Sequence, residues 1–342
     1  MNFSKTLIDW YLQNKRNLPW RQTNDPYQIW LSEIILQQTR VAQGKPYYEA
    51  FLSHFPTVFD LASANEEQVL KLWQGLGYYS RARNLHTTAK YVVNELKGVF
   101  PLTYKDLLSL KGVGEYTAAA IASFSYNEPI AVVDGNVFRV LSRVFGITSD
   151  IAITNTKKEF QQVAQELLPE SNPAIFNQAI MEFGALQCVP KSPDCSTCVF
   201  NDSCFALEKK CIDELPVKSK KTKVTNRYFN YLIIRDSNDD FVVLKREDKG
   251  IWFNLYEFTL LENLQKKNLE EIVEEIQIKF NPKEIILKNE KELVHKLSHQ
   301  HLHIHFFELK LNHKIKNALS IEEVVKLPFP IVIHNFIASN YL

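Results

Sequence analysis

Four cysteines fall close together in the segment CVPKSPDCSTCVFNDSC, and they constrain the chain more than any other feature of its sequence. Their spacing is C-x6-C-x2-C-x5-C, which leaves no room for a helix or strand of any length between them. The segment must therefore be a loop wrapped around a shared centre. Four thiolates that meet at one point predict either a tetrahedral zinc ion or an iron–sulfur cube. The four are Cys188, Cys195, Cys198 and Cys204.

Three kinds of centre can use four such cysteines. A pair of disulfides is disfavoured because the chain carries no secretory signal and intracellular thiols stay reduced. Zinc sites usually pair their cysteines in two short knuckles, and only Cys195 and Cys198 have that form. The irregular spacing therefore favours a [4Fe–4S] cluster over zinc. Cys211 lies outside the pattern and is interpreted as a spare thiol.

Length and composition predict two globular domains. At about 150 residues per domain, 342 residues suffice for two, and an apolar content of 45% can build packed cores. The formal net charge of +1 gives no global basic signature, so a nucleic-acid site would have to be local. No stretch approaches the roughly 18 apolar residues of a membrane span. We expect a soluble, cytoplasmic protein without a membrane partner.

The first two-thirds of the chain has a helical pattern, with apolar residues at spacings of three and four. The sequence DPYQ is a typical helix start, with Asp25 as the N-cap and a proline in the first turn. It predicts a helix from Pro26 to about Ala42. Further helices are predicted at Glu66–Leu72, Ser80–Leu96, Tyr104–Leu108, Tyr116–Ser125, Val137–Phe145, Lys157–Leu168 and Pro173–Phe183.

The pattern changes after Leu215. The stretch LPVKSKKTKVTNR holds five basic residues and no acidic one, so it predicts an extended linker. This linker either lies along a phosphate backbone or is a solvated tether. Beyond it, YFNYLIIRD, FVVLKRE, WFNLYEFTL and HLHIHFFELKL have the period of strands, and Leu269–Ile278 has that of a helix. The predicted parts are an all-α domain over 1–212 with the cysteine loop at 188–204, a basic linker over 213–227, and an α+β domain over 228–342.

Two carboxylates in the helical part are candidates for chemistry. Glu33 lies mid-helix in IWLSEIILQQTR among apolar neighbours, where desolvation would raise its pKa and suit it to general acid catalysis near neutral pH. Taken alone, such a glutamate would more often lie at the surface. Asp134 follows the apolar run in PIAVVDGNVFRVL and is interpreted as the N-cap of a helix starting near Asn136. A cap and a chemical role are compatible.

Two glycine-rich segments could contact nucleic acid. In LKGVGEYTAAAIASF, Gly112 and Gly114 allow a tight turn between two helices and leave backbone N–H groups available to one phosphate. An ordinary turn between packed helices would have the same sequence. In LWQGLGYYSRARNL, the two tyrosines could wedge between bases while the arginines contact phosphates, or the aromatic rings could belong to a core.

These pieces occur together in one family. A family resemblance rests on the cysteine loop and on the segments LPWR, WLSEIILQQTRV, GLGYYSRARNLH, GVGEYTAAAI, VDGNVFRVLSR and NQAIMEFGALQC. In these segments the chain resembles the A/G-specific adenine DNA glycosylases (MutY-type) of the helix-hairpin-helix–GPD superfamily. The resemblance covers essentially the whole chain. It implies base excision repair, in which adenine mispaired with 8-oxoguanine or guanine flips out of the duplex and is cut from its sugar. It also implies a [4Fe–4S] cluster on the four cysteines, double-stranded DNA as partner, a monomer and association with the nucleoid.

The resemblance implies roles for individual residues. Glu33 would protonate N7 of the flipped adenine, and Asp134 would stabilise the oxocarbenium-like charge at C1′, as paired carboxylates do in glycoside hydrolysis. Tyr116 and Asn136 would support the acid, the water and the sugar. The adenine pocket would be formed by Arg16, Leu18, Trp20, Arg21 and Glu182. The residues that wedge the duplex and probe 8-oxoguanine would be Gln38, Thr39, Leu76 and Tyr78.

Two departures within the helical domain refine this expectation. Bifunctional relatives of the endonuclease III type place a Schiff-base lysine where this chain has Tyr116, so strand cleavage by β-elimination is expected to be absent or very weak. The hairpin of Gly112 and Gly114 has Lys111 where proline is usual, and the added charge is compatible with a nearby phosphate. Lys191, in the cysteine loop, is expected to contact another phosphate.

The C-terminal part resembles the Nudix-like domain that such glycosylases carry. It lacks the Nudix box, because no REUxEExGU array follows Gly250, so metal-dependent pyrophosphate hydrolysis is not expected. The family reads 8-oxoguanine through a loop that is typically Phe-Ser-His, and the matching residues here are Leu297, Ser298 and His299. Ser298 and His299 are therefore expected to contact the lesion, while the apolar contact differs.

His301, His303 and His305 alternate along one predicted strand and so share a face. Because no carboxylate or cysteine partner is evident in the sequence, a strand face without a metal is favoured. Two other functions fit parts of the chain. A thymine-mismatch glycosylase with the same cluster is disfavoured by Glu182 and the Nudix-like domain. A non-catalytic iron–sulfur reader of DNA damage would need neither of the two candidate carboxylates.

Overall fold

A computed structural model describes residues 2–219 and 223–342. The chain divides into two compact units. The first comprises Met1–Ser63 and Asn84–Lys220, and the second comprises Ala64–Arg83 and Lys221–Leu342. The second unit thus includes a segment that the predicted boundaries 1–212, 213–227 and 228–342 assign to the helical domain. Those boundaries stay a prediction, and residues 220–222 of the predicted linker lie outside the described residues.

The chain is helical before the linker, as predicted. The helices, in chain order, are α1 (Phe3–Asn14), α2 (Pro26–Leu36), α3 (Val41–His54), α4 (Val58–Ser63), α5 (Glu66–Leu72), α6 (Ser80–Asn94), α7 (Tyr104–Leu107), α8 (Glu115–Tyr126), α9 (Gly135–Phe145), α10 (Thr154–Leu167), α11 (Pro173–Leu186) and α12 (Phe205–Glu208). Within residues 2–219 and 223–342, no helix is long and apolar enough to span a membrane.

The predicted helix from Pro26 to Ala42 is wrong beyond Leu36. Gln38 has a left-handed φ of +55°, which interrupts the helix before α3 begins at Val41. The sequence hides this break because the intervening residues include neither glycine nor proline. The other helices predicted before the linker are confirmed, and their ends differ by no more than three residues.

Two features of the first unit position its main cavity. Helix α2 is apolar on nearly all sides, and its residues from Ile29 to Ile35 are buried, so Glu33 is shielded from solvent. Helix α9 packs with α1 and α11 around an apolar core that includes Val137, Val140 and Phe183. The N-terminus of α9 and the middle of α2 therefore come from rigid, buried elements.

The second unit contains a mixed sheet, which confirms the α+β prediction. Its strands are β1 (Thr225–Arg235), β2 (Leu244–Lys245), β3 (Tyr256–Glu257), β4 (Thr259–Asn263), β5 (Glu284–Leu287), β6 (Leu293–Lys296) and β7 (Gln300–Lys310). The order of the main sheet is β4-β1-β7-β5, with β6 also paired to β7. Only β1 and β7 pair in parallel, while the other described pairs are antiparallel.

Three helices accompany these strands: α13 (Leu269–Phe280) lies between β4 and β5, and α14 (Ile321–Val324) and α15 (Ile331–Tyr341) follow β7. Helix α13 packs Ile272 and Ile276 against the sheet. The helix predicted at Leu269–Ile278 is confirmed as α13, and the strands predicted at YFNYLIIRD and HLHIHFFELKL are confirmed as β1 and β7. Of the predicted strand FVVLKRE, only Leu244 and Lys245 form a strand, β2. The predicted strand WFNLYEFTL starts too early, because Trp252 has a left-handed φ of +64° within a turn.

Candidate functional site

A cavity of about 390 Å³ in the first unit brings together most of the predicted site residues. Both candidate carboxylates contribute to its wall, although they are far apart in the chain. Residue Gln38 does not line it, whereas its neighbour Thr39 does. The predicted residues in its lining are Arg16, Leu18, Trp20, Arg21, Glu33, Thr39, Tyr116, Asp134, Asn136 and Glu182.

Glu33 is buried in this cavity, with 6% of the residue exposed. Burial raises the pKa of Glu33 to about 7, and the nearby charge of Asp134 adds to the shift. A hydrogen bond from Tyr116 and the charge of Arg21 oppose it. The carboxyl group is therefore divided between its protonated and ionised forms near neutral pH, as a general acid requires.

Asp134 caps α9 and faces the same cavity. Its Oδ1 accepts hydrogen bonds from the backbone N–H groups of Asn136 and Val137, each at 2.8 Å, and its Oδ2 accepts one from Asn136 Nδ2 at 2.8 Å. Burial raises the pKa of Asp134, while these hydrogen bonds and Arg139 oppose the rise. These hydrogen-bond donors favour the ionised form of Asp134.

Tyr116 lies in the first turn of α8 and donates a hydrogen bond from its hydroxyl to the Glu33 carboxyl group. Burial raises the pKa of Tyr116 well above its usual value, so the phenol remains a donor. Among the described residues that line the cavity, there is no lysine. The cavity wall thus offers carboxylates, a phenol and guanidinium groups, but no amine.

Glu182, on α11, anchors the opposite wall through two arginines. It accepts hydrogen bonds from the backbone N–H, Nε and Nη2 of Arg16 at 2.9, 2.9 and 2.5 Å. Both terminal nitrogens of Arg21 donate to it at 2.8 Å. Burial alone would raise the pKa of Glu182, but these bonds outweigh it and lower the pKa to about 2. Buried Leu18 and Trp20 complete this wall.

Arg139 is a residue that the sequence interpretation missed. Its Nη2 donates to Asn136 Oδ1 at 2.8 Å and to the Gly184 carbonyl at 2.5 Å, and its Nε donates to the Cys188 carbonyl at 2.7 Å. It connects the first residue of the cysteine loop to the amide that holds Asp134. One signal was available: Arg139 lies three residues after Asn136, on the same face of a helix.

The four predicted cluster cysteines line one small cavity, together with Arg143 and Phe200. Arg143 Nη1 and the Phe200 N–H donate to the sulfurs of Cys188 and Cys198, each at 3.5 Å. Such donors stabilise thiolates, so the residues fit a thiolate-bound centre. Burial raises the pKa of Cys195 and Cys198, and the neighbouring thiols add to the rise.

A second cavity, of about 490 Å³, lies within the second unit. Four predicted recognition residues line it: Leu76 and Tyr78 from the segment before α6, and Ser298 and His299 from the turn between β6 and β7. Trp252 and Lys296 complete one side. The structure therefore joins two predicted groups of recognition residues that lie far apart in the chain.

The remaining predicted residues lie in turns. Gly112 has a φ of +79°, and a Cβ there would approach the Asn84 Cβ to 2.8 Å, so this turn requires glycine. Gly114 is the N-cap of α8 and has no side chain to accept a hydrogen bond from the first backbone N–H groups of that helix. N–H groups at a helix start can bind an anion, and the phosphate contact of this hairpin stays a prediction. Lys191 is exposed in the cysteine loop.

One of the three strand histidines, His303, has a carboxylate partner, contrary to the sequence interpretation. His303 Nδ1 lies 2.6 Å from Glu292 Oε2, and its Nε2 lies 3.2 Å from Asn226 Oδ1. Glu292 precedes β6, which pairs with β7, so only the sheet register brings it to the histidine. In the part of the chain that the structure describes, no group of three His, Cys, Asp or Glu side chains, the four loop cysteines included, is arranged to hold a metal ion. The fit of the cysteine loop to a thiolate-bound centre therefore rests on the chemistry of its donors.

Comparison with known proteins agrees with this geometry. Residues 31–170 match the HhH-GPD superfamily of base excision DNA repair proteins, and residues 230–339 match the NUDIX domain. The chain is 35% identical over 306 residues to the adenine DNA glycosylase of Buchnera aphidicola from Schizaphis graminum, a match that covers 88% of this chain and 86% of that one. It is 45% identical over 216 residues to the Homo sapiens adenine DNA glycosylase, which covers 60% and 40% respectively.

Among solved structures, a thermostable thymine-DNA glycosylase is similar to the chain with a TM-score of 0.56 and 31% identity. The match covers 60% of this chain and 95% of that one. It therefore covers little more than half of this chain, whereas the Buchnera relative matches most of the whole chain.

Proposed function

The chain belongs to the adenine DNA glycosylases of base excision repair, and we propose that it removes adenine mispaired with 8-oxoguanine or guanine from double-stranded DNA. One observation carries the chemistry of the proposal. Two carboxyl groups, Glu33 and Asp134, face one cavity; burial raises the pKa of Glu33 to about 7, whereas two backbone N–H groups donate to Asp134 and favour its ionised form. This is the arrangement that cleavage of a glycosidic bond requires.

The reaction breaks the bond between N9 of adenine and C1′ of its deoxyribose. Glu33 gives its proton to N7 of the flipped base, which then leaves as neutral adenine with the electron pair of the broken bond. Asp134 stabilises the positive charge that develops at C1′. Water then adds to C1′, and its proton returns to the Glu33 carboxylate, so the acid is regenerated. The hydrogen bonds that Asn136 donates keep Asp134 oriented towards the sugar.

The wall around Glu182 is proposed to hold the base. Its charge is neutralised by Arg16 and Arg21, so the pocket presents a rigid polar frame rather than a free anion. Leu18 and Trp20 add buried apolar surface that suits the face of a flipped purine. Thr39 lies at the same cavity, while Gln38 in the neighbouring turn is proposed to contact the duplex.

The enzyme is proposed to be monofunctional, or to have very weak lyase activity. Strand cleavage by β-elimination proceeds through an imine between C1′ and an amine. Tyr116 occupies the position of that amine, and its phenol cannot form an imine. The lack of lysine among the described lining residues supports this proposal.

The second cavity is proposed to read 8-oxoguanine. The Ser298 hydroxyl and the His299 ring offer hydrogen-bonding groups, and half-exposed Tyr78 offers a ring that can wedge between bases. Leu76 adds apolar surface. Because the domain lacks the Nudix box, we propose that it binds the lesion and does not hydrolyse nucleotides.

Cys188, Cys195, Cys198 and Cys204 are proposed to hold a [4Fe–4S] cluster. When bound, the cluster would supply four iron–thiolate bonds that fix the loop between α11 and α12. The loop would then present Lys191 to a phosphate, while Gly112 and Gly114 offer backbone N–H groups to another. We propose that one chain suffices for this contact with DNA.

The test is cleavage of end-labelled duplexes that carry one defined mispair. We expect alkali-labile sites at A opposite 8-oxoguanine and at A opposite G, and none at A opposite T or T opposite G. Without alkali, the strands should stay largely intact. Efficient release of thymine from T opposite G would instead support the thymine-mismatch alternative, and direct strand cleavage would contradict the role proposed for Tyr116.

A further inference from the structure

Residues 64–83, here called the wedge segment, belong to the compact unit of the C-terminal sheet. The segment comprises α5, the glycine-rich turn after it and the start of α6. It supplies Leu76 and Tyr78 to the second cavity, to which the C-terminal residues supply Ser298 and His299. The cavity is therefore composite, and its shape depends on how the wedge segment is fastened.

Contacts within the wedge segment tie Tyr78 to α5. Tyr78 has a left-handed φ of +47° and is 45% exposed. The Arg81 guanidinium lies over the rings of Tyr78 and Trp73, with its Cζ 5.8 and 5.0 Å from their centroids. Trp73 Nε1 and Arg81 Nη2 donate to the Gly77 carbonyl at 3.0 and 3.2 Å. The direction of the Tyr78 ring thus follows the orientation of α5.

Lys71 fastens α5 to the C-terminal part of the unit. Its Nζ donates to the carbonyls of Val325 and Leu327 at 2.7 and 3.0 Å. These carbonyls follow the C-terminus of α14, where a cation is favoured. One helical turn away, Gln74 Oε1 accepts a hydrogen bond from the Phe329 N–H at 3.1 Å. Lys71 is partly buried, and this burial lowers the pKa of its ammonium group.

Contacts at the two ends of the wedge segment reinforce this attachment. Glu67 Oε1 accepts hydrogen bonds from Lys245 Nζ and the Tyr256 hydroxyl, each at 2.8 Å. Arg83 Nη1 donates to the Phe253 carbonyl at 2.9 Å. Lys71 is distinct among them because it is half-buried and donates to two backbone carbonyls, which cannot rotate to find other partners.

We infer that Lys71 is a positioning residue for lesion recognition: it fixes α5 on the carbonyls after α14 and thereby holds Tyr78 in the cavity of Ser298 and His299. The inference rests on the proposed reading of 8-oxoguanine by that cavity. Lys71 lines neither cavity, so it acts through the wedge segment and not through contact with a base. Its loss should weaken discrimination between mispairs more than it weakens excision.

The test compares full-length Lys71→Met with Lys90→Met, which removes an exposed lysine of α6. Single-turnover excision is measured at saturating enzyme, and the dissociation constant by titration, for A opposite 8-oxoguanine and A opposite G. In Lys71→Met, we expect the preference for 8-oxoguanine to fall about tenfold, mostly in the dissociation constant. Lys90→Met should keep the wild-type preference. Lys71→Arg, which can still donate to both carbonyls, should retain most of it.

Amide hydrogen exchange of the protein without DNA measures how firmly the wedge segment is held, independently of lesion binding. Amides of residues 72–79 should exchange faster in Lys71→Met than in the wild type, while amides of α9 should not change. If Lys71→Met does not fold, Gln74→Met, which removes the bonds that Gln74 Oε1 accepts from the Phe329 N–H and from Lys71 Nζ, takes the same tests with a smaller expected effect.

The outcomes separate the two proposals. If the wild type does not prefer 8-oxoguanine over guanine, the proposed reading of the lesion fails, whatever the variants show. If the wild type has the preference but Lys71→Met keeps it, the inference about Lys71 is wrong. A lost preference with unchanged exchange over residues 72–79 also overturns it, because the effect would then not act through the wedge segment.

Discussion

The hydroxyl of Tyr116 and the carboxyl group of Glu33 share one hydrogen bond, although they belong to different helices, α8 and α2. The bond stabilises the ionised carboxylate and so opposes the effect of burial on its pKa. The balance leaves the pKa of Glu33 at about 7. Because α2 and α8 are packed against each other, the distance between acid and phenol is fixed by the fold.

Glu33→Gln should abolish adenine release while it leaves affinity for the mispaired duplex nearly intact. The amide keeps the shape of the side chain but cannot donate the proton, and general acid catalysis contributes about 10²–10⁴-fold. Single-turnover excision and a binding titration measure the two effects. Glu115→Gln, which changes an exposed glutamate beside Tyr116, is the control and should remain active. Excision by Glu33→Gln within a few-fold of the wild type would remove Glu33 from the acid's role.

Excision should fall as the pH rises above about 7. The active form of Glu33 is the protonated acid, and its pKa of about 7 places the loss of that form there. In Tyr116→Phe, the hydrogen bond that lowers the pKa of Glu33 is lost, so the fall in excision should begin at a higher pH. The measurement is the single-turnover rate from pH 6 to pH 9 for both proteins, at about half-unit steps. If the fall in excision occurs at the same pH in both proteins, a group other than Glu33 is responsible for it.

Glu182→Gln should destabilise the protein strongly. The substitution leaves Arg16 and Arg21 beside a neutral, fully buried group, and breaking a buried ion pair from one side costs about 3–5 kcal/mol. Urea unfolding followed by tryptophan fluorescence measures the change in the free energy of unfolding. Glu49→Gln, which removes an exposed partner of Lys45, should cost less than about 1 kcal/mol. Equal costs for the two variants would contradict the importance of the buried network.

Ser298→Ala should reduce the preference for A opposite 8-oxoguanine over A opposite G by about two- to tenfold, because one hydrogen bond contributes only about 0.5–1.5 kcal/mol. Excision at saturating enzyme should change less, since the catalytic cavity is untouched. Ser237→Ala, in an exposed turn of the same unit, should have no effect. An unchanged ratio in Ser298→Ala would mean that this hydroxyl does not read the lesion.

Purified protein should carry about four irons per chain and a broad visible absorption from thiolate-to-iron charge transfer. Cys195→Ser should lose much of both, while Cys211→Ser should keep them, because Cys211 does not line the cysteine cavity. Iron analysis and absorption spectra provide the check. Stoichiometric zinc in a colourless, active preparation from iron-replete cells would overturn the proposal of an iron–sulfur cluster.

Local sequence patterns predicted most of the helices, and the resemblance to a known family named most of the predicted site residues that line the first cavity. Glu33 and Asp134 were found because each interrupts an apolar run, and a polar residue in such a place needs a reason. The break at Gln38 was missed because only its backbone conformation differs from that of a helix. The bond from Arg139 to Asn136 was missed although both lie on α9, since nothing in the sequence says that the amide needs a donor.

The other contacts that the sequence did not predict join residues that are far apart in the chain. The carbonyl that Lys71 contacts at Val325 lies 254 residues further along the chain. Likewise, His303 meets Glu292 only because β6 and β7 pair in one particular register. The periodicity of a sequence shows which face of a helix or strand is apolar, but it does not show which other helix or strand packs on that face. The sequence therefore could not predict that the wedge segment belongs to the C-terminal unit.

The divided sequence of the second unit has a consequence for how the protein is made. Arg83 leaves the ribosome 170 residues before Phe253, to which it donates a hydrogen bond. At about 5–20 residues per second, the wedge segment waits roughly 10–30 s for its partners. During that time Val69, Leu70 and Trp73, all buried in the finished protein, lack the C-terminal residues of their own unit. Slow or interrupted translation of the last third should therefore expose an aggregation-prone stretch in the first.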